Sequence, residues 1–247
     1  MLKDALRLLL VLSVTGICVL TVRYMGVTLV EIPEDGEQPV FEAGDCVAVN
    51  KWAYGWRLSP MKWFDSVRLG GNKIGDGEWV AFNDPTQRDD SLFIDERNIF
   101  IGYSFAGPGD SLWIDACGHV FRECPDENCR FRVVRLPQKG EYVPVTPDNV
   151  YWYNQMINQH EGLSSTVVSD SLYVAEQLVT TFRFTNDYYW MSSANCHNMA
   201  DSRTFGFVPD KYVIGRLSYI LYSYDKEAPW YAPFRFERTM MEVGREL

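Results

Sequence analysis

The side chains whose types and spacing could do chemistry are clustered at Cys117, His119, Cys124 and Cys129. Thiolate and imidazole together form zinc sites, but these intervals match no common structural-zinc pattern. In an oxidising compartment the same thiols are disulfide material. Cys124 and Cys129 flank the four-residue turn Pro125 to Asn128. Strands read at Val120-Phe121-Arg122 and Phe131-Arg132-Val133 would set the two thiols opposite each other across a hairpin, at bonding distance. We expect that bond, with Cys117 paired elsewhere or free, and no metal or cofactor. The three histidines are scattered. His160 closes a predicted helix and reads as a solvated terminal residue.

The elements that must position any site follow from composition and pattern. The chain has 247 residues, 47% hydrophobic and 15% aromatic, which excludes disorder and suits a packed, β-rich protein. Its net charge of −10 and the absence of a basic stripe exclude a nucleic-acid binder. Residues 1–25 differ from the rest. Lys3 and Arg7 precede an uncharged run from Leu8 to Val22, and Arg23 closes it. That run is short against the roughly 20 residues of a spanning helix, though Arg7 and Arg23 can snorkel and Tyr24 can anchor at the interface. A cleavable signal peptide competes with this reading, but no small-x-small site follows the run. We expect an uncleaved transmembrane helix over residues 1–25, its N-terminus cytoplasmic, and residues 26–247 outside. The exterior part then holds Cys46, Cys117, Cys124, Cys129 and Cys196.

Gly44-Asp45 is a turn pair feeding the buried strand Cys46-Val47-Ala48-Val49. Trp56 to Phe64 mixes aromatics with basic residues and reads either as core and turn or as a surface dipping into headgroups. Trp79 to Phe82 and Ile99 to Ile101 read as strands, Thr86 to Arg97 as a polar loop. Thr146-Pro147-Asp148 reads as an N-cap with Pro at the first helical position, starting a helix to about His160. Leu172 to Phe184 returns to strand alternation.

Four stretches resemble the bacterial type I signal peptidase (leader peptidase) family, and the likeness covers most of the chain. The first is Glu31 to Gly55, against I-P-S-x-S-M-x-P-T-L-x-x-G-D followed by a strand and N-K-x-A-Y-G. Ile32, Pro33, Pro39, Gly44, Asp45, Asn50, Lys51, Ala53, Tyr54 and Gly55 fall into that pattern. Gly77-Glu78-Trp79-Val80-Ala81-Phe82 is similar to a G-D-x-V-x-F strand. Asn98 to Asp110 is similar to Y-x-K-R-x-x-G-x-P-G-D, anchored on Pro108-Gly109-Asp110. Ala200-Asp201-Ser202-Arg203 and Gly206-Phe207-Val208-Pro209 match the last box, G-D-N-R-x-N-S-x-D-S-R-x-x-G-x-V-P.

The resemblance implies a mainly β fold. One N-terminal transmembrane helix would precede a domain of coiled antiparallel β-sheets, with a smaller inserted lobe at about 111–185. It also implies serine endopeptidase chemistry, whose parts are missing here. The nucleophile position is Gly36, the lysine base Gly102, the orienting serine Met199, and the oxyanion serine Glu34. A Ser/Lys peptidase needs a hydroxyl with a neutral amine in hydrogen-bond reach. No Ser, Thr or Cys stands between Leu29 and Asp45, and no lysine between Pro85 and Phe131. A carboxylate at Glu34 would repel an oxyanion. What remains is framework: Pro33, Pro39, Asp201 and Arg203. The reading is a bacterial inner-membrane protein with a periplasmic or otherwise extracytoplasmic domain, lacking the dyad. It would be a binding or accessory subunit beside an active signal peptidase or in another envelope complex, with signal peptides as a further partner. The alternative is an active peptidase with a relocated dyad, Ser104 with Lys51 or Lys73.

Overall fold

The computed structural model describes residues 2–21, 26–33, 40–57, 68–87, 98–125, 130–193, 201–229 and 231–244. Glu34, Gly36, Pro39, Cys129, Cys196 and Met199 therefore lie outside the described residues, as do residues 58–67 of the aromatic-basic stretch.

Helix α1 (Leu2–Thr21) leads into strands β1 (Val27–Glu31) and β2 (Asp45–Asn50). A two-strand ribbon of β3 (Trp56–Arg57) and β4 (Arg68–Leu69) precedes β5 (Trp79–Asn83) and β6 (Ile99–Ala106). Then come β7 (Ser111–Ile114), β8 (Val120–Phe121), β9 (Arg132–Arg135), β10 (Tyr142–Pro144), α2 (Val150–His160), β11 (Ser165–Val168), β12 (Ser171–Val174), β13 (Gln177–Val179) and β14 (Thr181–Arg183). The chain finishes with β15 (Tyr188–Ser192), α3 (Ser202–Phe205), β16 (Val208–Pro209), β17 (Val213–Ser223) and β18 (Met241–Glu242). The fold is mainly β.

The main sheet runs in the order β1-β2-β17-β5-β6-β15-β16, all antiparallel, with β18 added beside β17. Its central strands β2 and β5 are buried on both faces, so they read as continuous apolar runs and not as alternation. Register shifts in β17 against both neighbours and in β15 against β6 curl it. One face packs Ile32, Phe41, Val47, Trp79, Ile101 and Leu217. The other packs Val80, Phe82, Tyr189, Met191, Phe205 and Val213. Residues 111–183 form the small sheets between β6 and β15, and with α2 they share a third core with Trp190 and Phe207.

Several expectations need correction. Helix α1 covers 20 residues, but Asp4 and Arg7 charge its first turns and Ser13, Thr15 and Gly16 interrupt its apolar run. Among the described residues no helix is long and apolar enough to cross a membrane, so the expected transmembrane helix is not found. The strands expected to pair across Pro125 to Asn128 do not pair with each other. β7 is the middle strand, pairing β8 on one side and β9 on the other. Those two strands lie about 10 Å apart, twice the interstrand spacing, and Cys124 carries a free, exposed thiol. The expected Cys124–Cys129 bond is thus overturned at Cys124. The N-cap of α2 is Asn149, whose own side chain makes no cap bond to the helix. Its Oδ1 accepts from Thr146 N at 2.8 Å and so closes a preceding turn. His160 is buried, its ring 5.5 Å from that of Tyr212 and 6.1 Å from that of Tyr188. The end of α2 docks onto the main sheet there, and Lys211 Nζ donates to the His160 carbonyl at 2.8 Å.

The segment between β1 and β2 has its base sealed by two main-chain bonds. Ile32 N donates to Asp45 O at 2.8 Å, and Gly44 N donates to Ile32 O at 3.0 Å. Gly44 has φ 87°, and a Cβ there would meet the Tyr224 carbonyl oxygen at 1.9 Å, so only glycine fits. Asp45 is fully buried. Arg238 clamps it with Nη2 at 2.5 Å and Nε at 3.1 Å. Arg238 Nη2 also donates to the Val40 carbonyl at 3.0 Å, and Arg235 Nη1 to the Ala43 carbonyl at 3.1 Å. Burial alone would raise the Asp45 carboxyl. The Arg238 guanidinium, the Glu42 N–H and the Ser223 hydroxyl outweigh it and hold the group below the usual carboxylate range.

Removing one partner of a buried pair strands the other charge, so Arg238→Ala should cost about 3 kcal/mol in chemical denaturation. Because the folded value of Asp45 lies below its unfolded one, the pair's contribution is complete above about pH 4 and is lost as pH falls through the folded value. A stability-versus-pH curve should therefore lose part of its acid limb in Arg238→Ala; an unchanged limb would contradict this role.

Candidate functional site

The four stretches singled out in the sequence meet across the sheet. Tyr54, just beyond β2, donates to Glu78 Oε2 at 2.9 Å, and Gly75 N donates to the same oxygen at 3.1 Å. Glu78 is buried, with Arg216 Nη1 3.6 Å from its other oxygen. Burial, then the negative charge of Glu78, pushes the Tyr54 hydroxyl well above its usual range, so it stays a donor. Asp110 accepts from Gly107 N at 2.8 Å and closes the Pro108-Gly109 turn. Asp201 caps α3, accepting Arg203 N at 2.9 Å and Arg203 Nε at 2.7 Å. Ser202, buried between them in sequence, accepts Met191 N at 2.9 Å and fixes α3 to β15. Asp201 and Arg203 therefore hold local structure at the start of α3.

The position implied for the lysine, Gly102, is buried in the middle of β6 opposite Val80. A Cβ built there meets the Ser192 carbonyl oxygen at 2.9 Å and Phe82 Cε1 at 3.5 Å. A backbone carbonyl on the neighbouring strand β15 thus occupies the space that a side chain would need. That face carries Val80 and Phe82, whereas the anchors of the β1–β2 segment, Ile32 and Phe41, pack on the opposite face with Trp79 and Ile101. Phe41 meets Trp79 edge-on at 4.9 Å, and Trp79 meets Tyr103 at 5.5 Å. The segment is thus fixed against Tyr103, the neighbour of Gly102 whose side chain points to the other face.

Ser104, two residues further along β6, is fully buried, and its Oγ has no hydrogen-bond partner. Lys73 is exposed. Among the described residues, neither Lys51 nor Lys73 hydrogen-bonds the Ser104 hydroxyl. A cleft of ≈ 490 Å³ opens elsewhere, beside Glu78 and Arg216, lined also by Asn50, Tyr219 and Glu242. Sequence reading missed it because its walls come from β5, β17 and the C-terminal segment. Its only local signal was an acidic residue, Glu78, just ahead of an apolar strand. Of the thiol and imidazole group, Cys117 and His119 come together with Asp115; Cys124 does not join them.

Two comparisons with known proteins bear on this scaffold. A family model described as "Signal peptidase, peptidase S26" matches residues 5–222. A protein named signal peptidase I from Haemophilus influenzae is 24% identical over 247 residues, covering 86% of this chain and 68% of that protein.

The glycine requirement at 102 is testable without reference to activity. Gly102→Ala should destabilise by about 2 kcal/mol, because the added methyl forces β15 away from β6. Gly102→Lys should cost more by adding a buried charge. Equal denaturation midpoints for wild type and Gly102→Ala would show that the Ser192 carbonyl yields freely.

Proposed function

The chain belongs to the signal peptidase family, peptidase S26, and on that premise we propose that it is a non-catalytic homologue that acts by binding at a membrane. The observation that carries this reading is the Ser192 carbonyl packed against Gly102, where the family's lysine would stand. The missing hydroxyls between Leu29 and Asp45 support it from the sequence side. A nucleophile, a base, an orienting hydroxyl and an oxyanion donor act as a unit. Their joint absence from Gly36, Gly102, Met199 and Glu34, with the framing turns intact, fits a fold kept for contact and not for turnover. Partners consistent with this are an active signal peptidase or another envelope complex, and signal peptides themselves.

Membrane association rests on α1. Leu8, Leu9, Leu10, Val11, Leu12, Val14, Ile17 and Val19 are all more than half exposed or at that level, from 50% to 66%. An apolar surface of that continuity calls for a non-aqueous neighbour. Together with the family membership, it supports association with the bacterial inner membrane. The protein should fractionate with membranes, with α1 retained at the mature N-terminus. Recovery in the soluble fraction, or a mature N-terminus near residue 25, would refute it.

The alternative of a relocated dyad at Ser104 has its test in a cleavage assay. Purified wild-type protein in detergent should leave a preprotein uncut where an active homologue cuts it. Gly36→Ser and Gly102→Lys, introduced singly, should stay inactive, the first for want of a base and the second for want of a nucleophile. Wild-type turnover abolished by Ser104→Ala would overturn the non-catalytic reading. Copurification followed by mass spectrometry then identifies the bound partner.

A further inference from the structure

The turn joining β7 to β8 reads Asp115-Ala116-Cys117-Gly118-His119, and it places three different metal-ligating groups on alternate residues. One ligand atom from each of Asp115, Cys117 and His119 lies within 4.8 Å of the others. The turn is closed before any ion arrives. Asp115 N donates to His119 O at 3.0 Å, and Gly118, at φ 87°, donates its N–H to Asp115 O at 3.2 Å. Asp115 Oδ1 accepts from both Cys117 N and His119 N at 2.8 Å, which fixes the carboxylate. Its second oxygen, Oδ2, faces His119 Nδ1 at 2.8 Å. The β7–β8 pairing at Ile114 and Val120 holds the turn's two ends.

We propose that Asp115, Cys117 and His119 form a divalent-metal site selective for zinc-like ions, with the fourth position taken by water. The donor set decides the class of ion. Thiolate and imidazole prefer zinc and its neighbours, whereas calcium and magnesium take oxygen donors alone. Tetrahedral zinc at bonds of about 2.0–2.3 Å holds its donors roughly 3.5 Å apart. The ligand atoms already lie within 4.8 Å of one another, and the exposed turn can adjust to that spacing, the His119 side chain being 71% exposed. The metal replaces the contact between Asp115 Oδ2 and His119 Nδ1. The Cys117 thiol loses its proton to solvent as the metal–sulfur bond forms, so affinity rises with pH. Cys124 is exposed and free but outside the three-atom group. The site is independent of the Gly102 region and of whether the protein cleaves peptides.

The test is a Co²⁺ titration of the full chain in detergent, followed by its thiolate-to-metal charge-transfer absorption, with Zn²⁺ as competitor. A single equivalent should produce the band in wild type and in Cys124→Ser, and Zn²⁺ should bleach it. Cys117→Ser should abolish it. His119→Gln and Asp115→Asn should each weaken binding by tenfold or more, as loss of even an outer-shell partner costs about 10–100-fold. Absence of the band in wild type, or a band that survives Cys117→Ser and vanishes in Cys124→Ser, would overturn the assignment.

Discussion

The buried ion pair between Asp45 and Arg238 is the interaction on which the rest of the site's architecture depends. Asp45 starts β2, has no solvent exposure, and would be costly as a lone carboxylate. Arg238 neutralises it and, with Arg235, also takes up the carbonyls of Val40 and Ala43. One short 3-10 turn, Phe236–Arg238, therefore holds the end of the β1–β2 segment from 193 residues away in sequence. The Gly44 backbone, packed on Tyr224, fits under the same clamp. Arg235 bridges Glu42 and Asp225, so the clamp is a network of charges and not a single contact.

Around that clamp, the residues shared with the signal peptidases have structural duties that need no catalysis. Tyr54 ties the end of β2 to Glu78 ahead of β5; Asp110 closes a turn; Asp201, Ser202 and Arg203 lock α3 to β15. Each is a buried or turn-closing polar group whose loss leaves an unpaired partner. Selection for folding alone would keep them. At Gly102 the neighbouring strand comes so close that an added Cβ would stand 2.9 Å from the Ser192 carbonyl oxygen.

The smaller sheets between β6 and β15 are built on different rules. β11, β12 and β13 are joined by two-residue turns at Ser169-Asp170 and Ala175-Glu176, all with positive φ between 48° and 66°. Those are the backbone angles that match strand twist, although neither turn carries the glycine that usually supplies them. Their order comes from the core behind them, where Leu172 and Phe184 pack on Tyr153 of α2. The β7–β8 turn stands outside that core, so its Cys117 and His119 are available to ligands.

By itself the sequence determined the family, the mainly β class, the strand at Cys46–Val49 and the helix at Val150–His160, because these rest on local apolar periodicity and on box residues that stand next to one another. It also determined that no Ser, Thr or Cys stands between Leu29 and Asp45 and no lysine between Pro85 and Phe131, since that is a matter of residue identity. Only tertiary structure decided what surrounds these segments. That β7 sits between β8 and β9, leaving Cys124 unbonded, depends on a pairing choice that hairpin spacing does not encode. The burial of His160 depends on where the end of α2 docks, and the pairing of Asp45 with Arg238 on a contact between chain ends. That the Ser192 carbonyl packs against Gly102 is a fact about two strands distant in sequence. Such contacts form only once the sheet has curled, because antiparallel pairing fixes partners by register and burial and not by nearness along the chain.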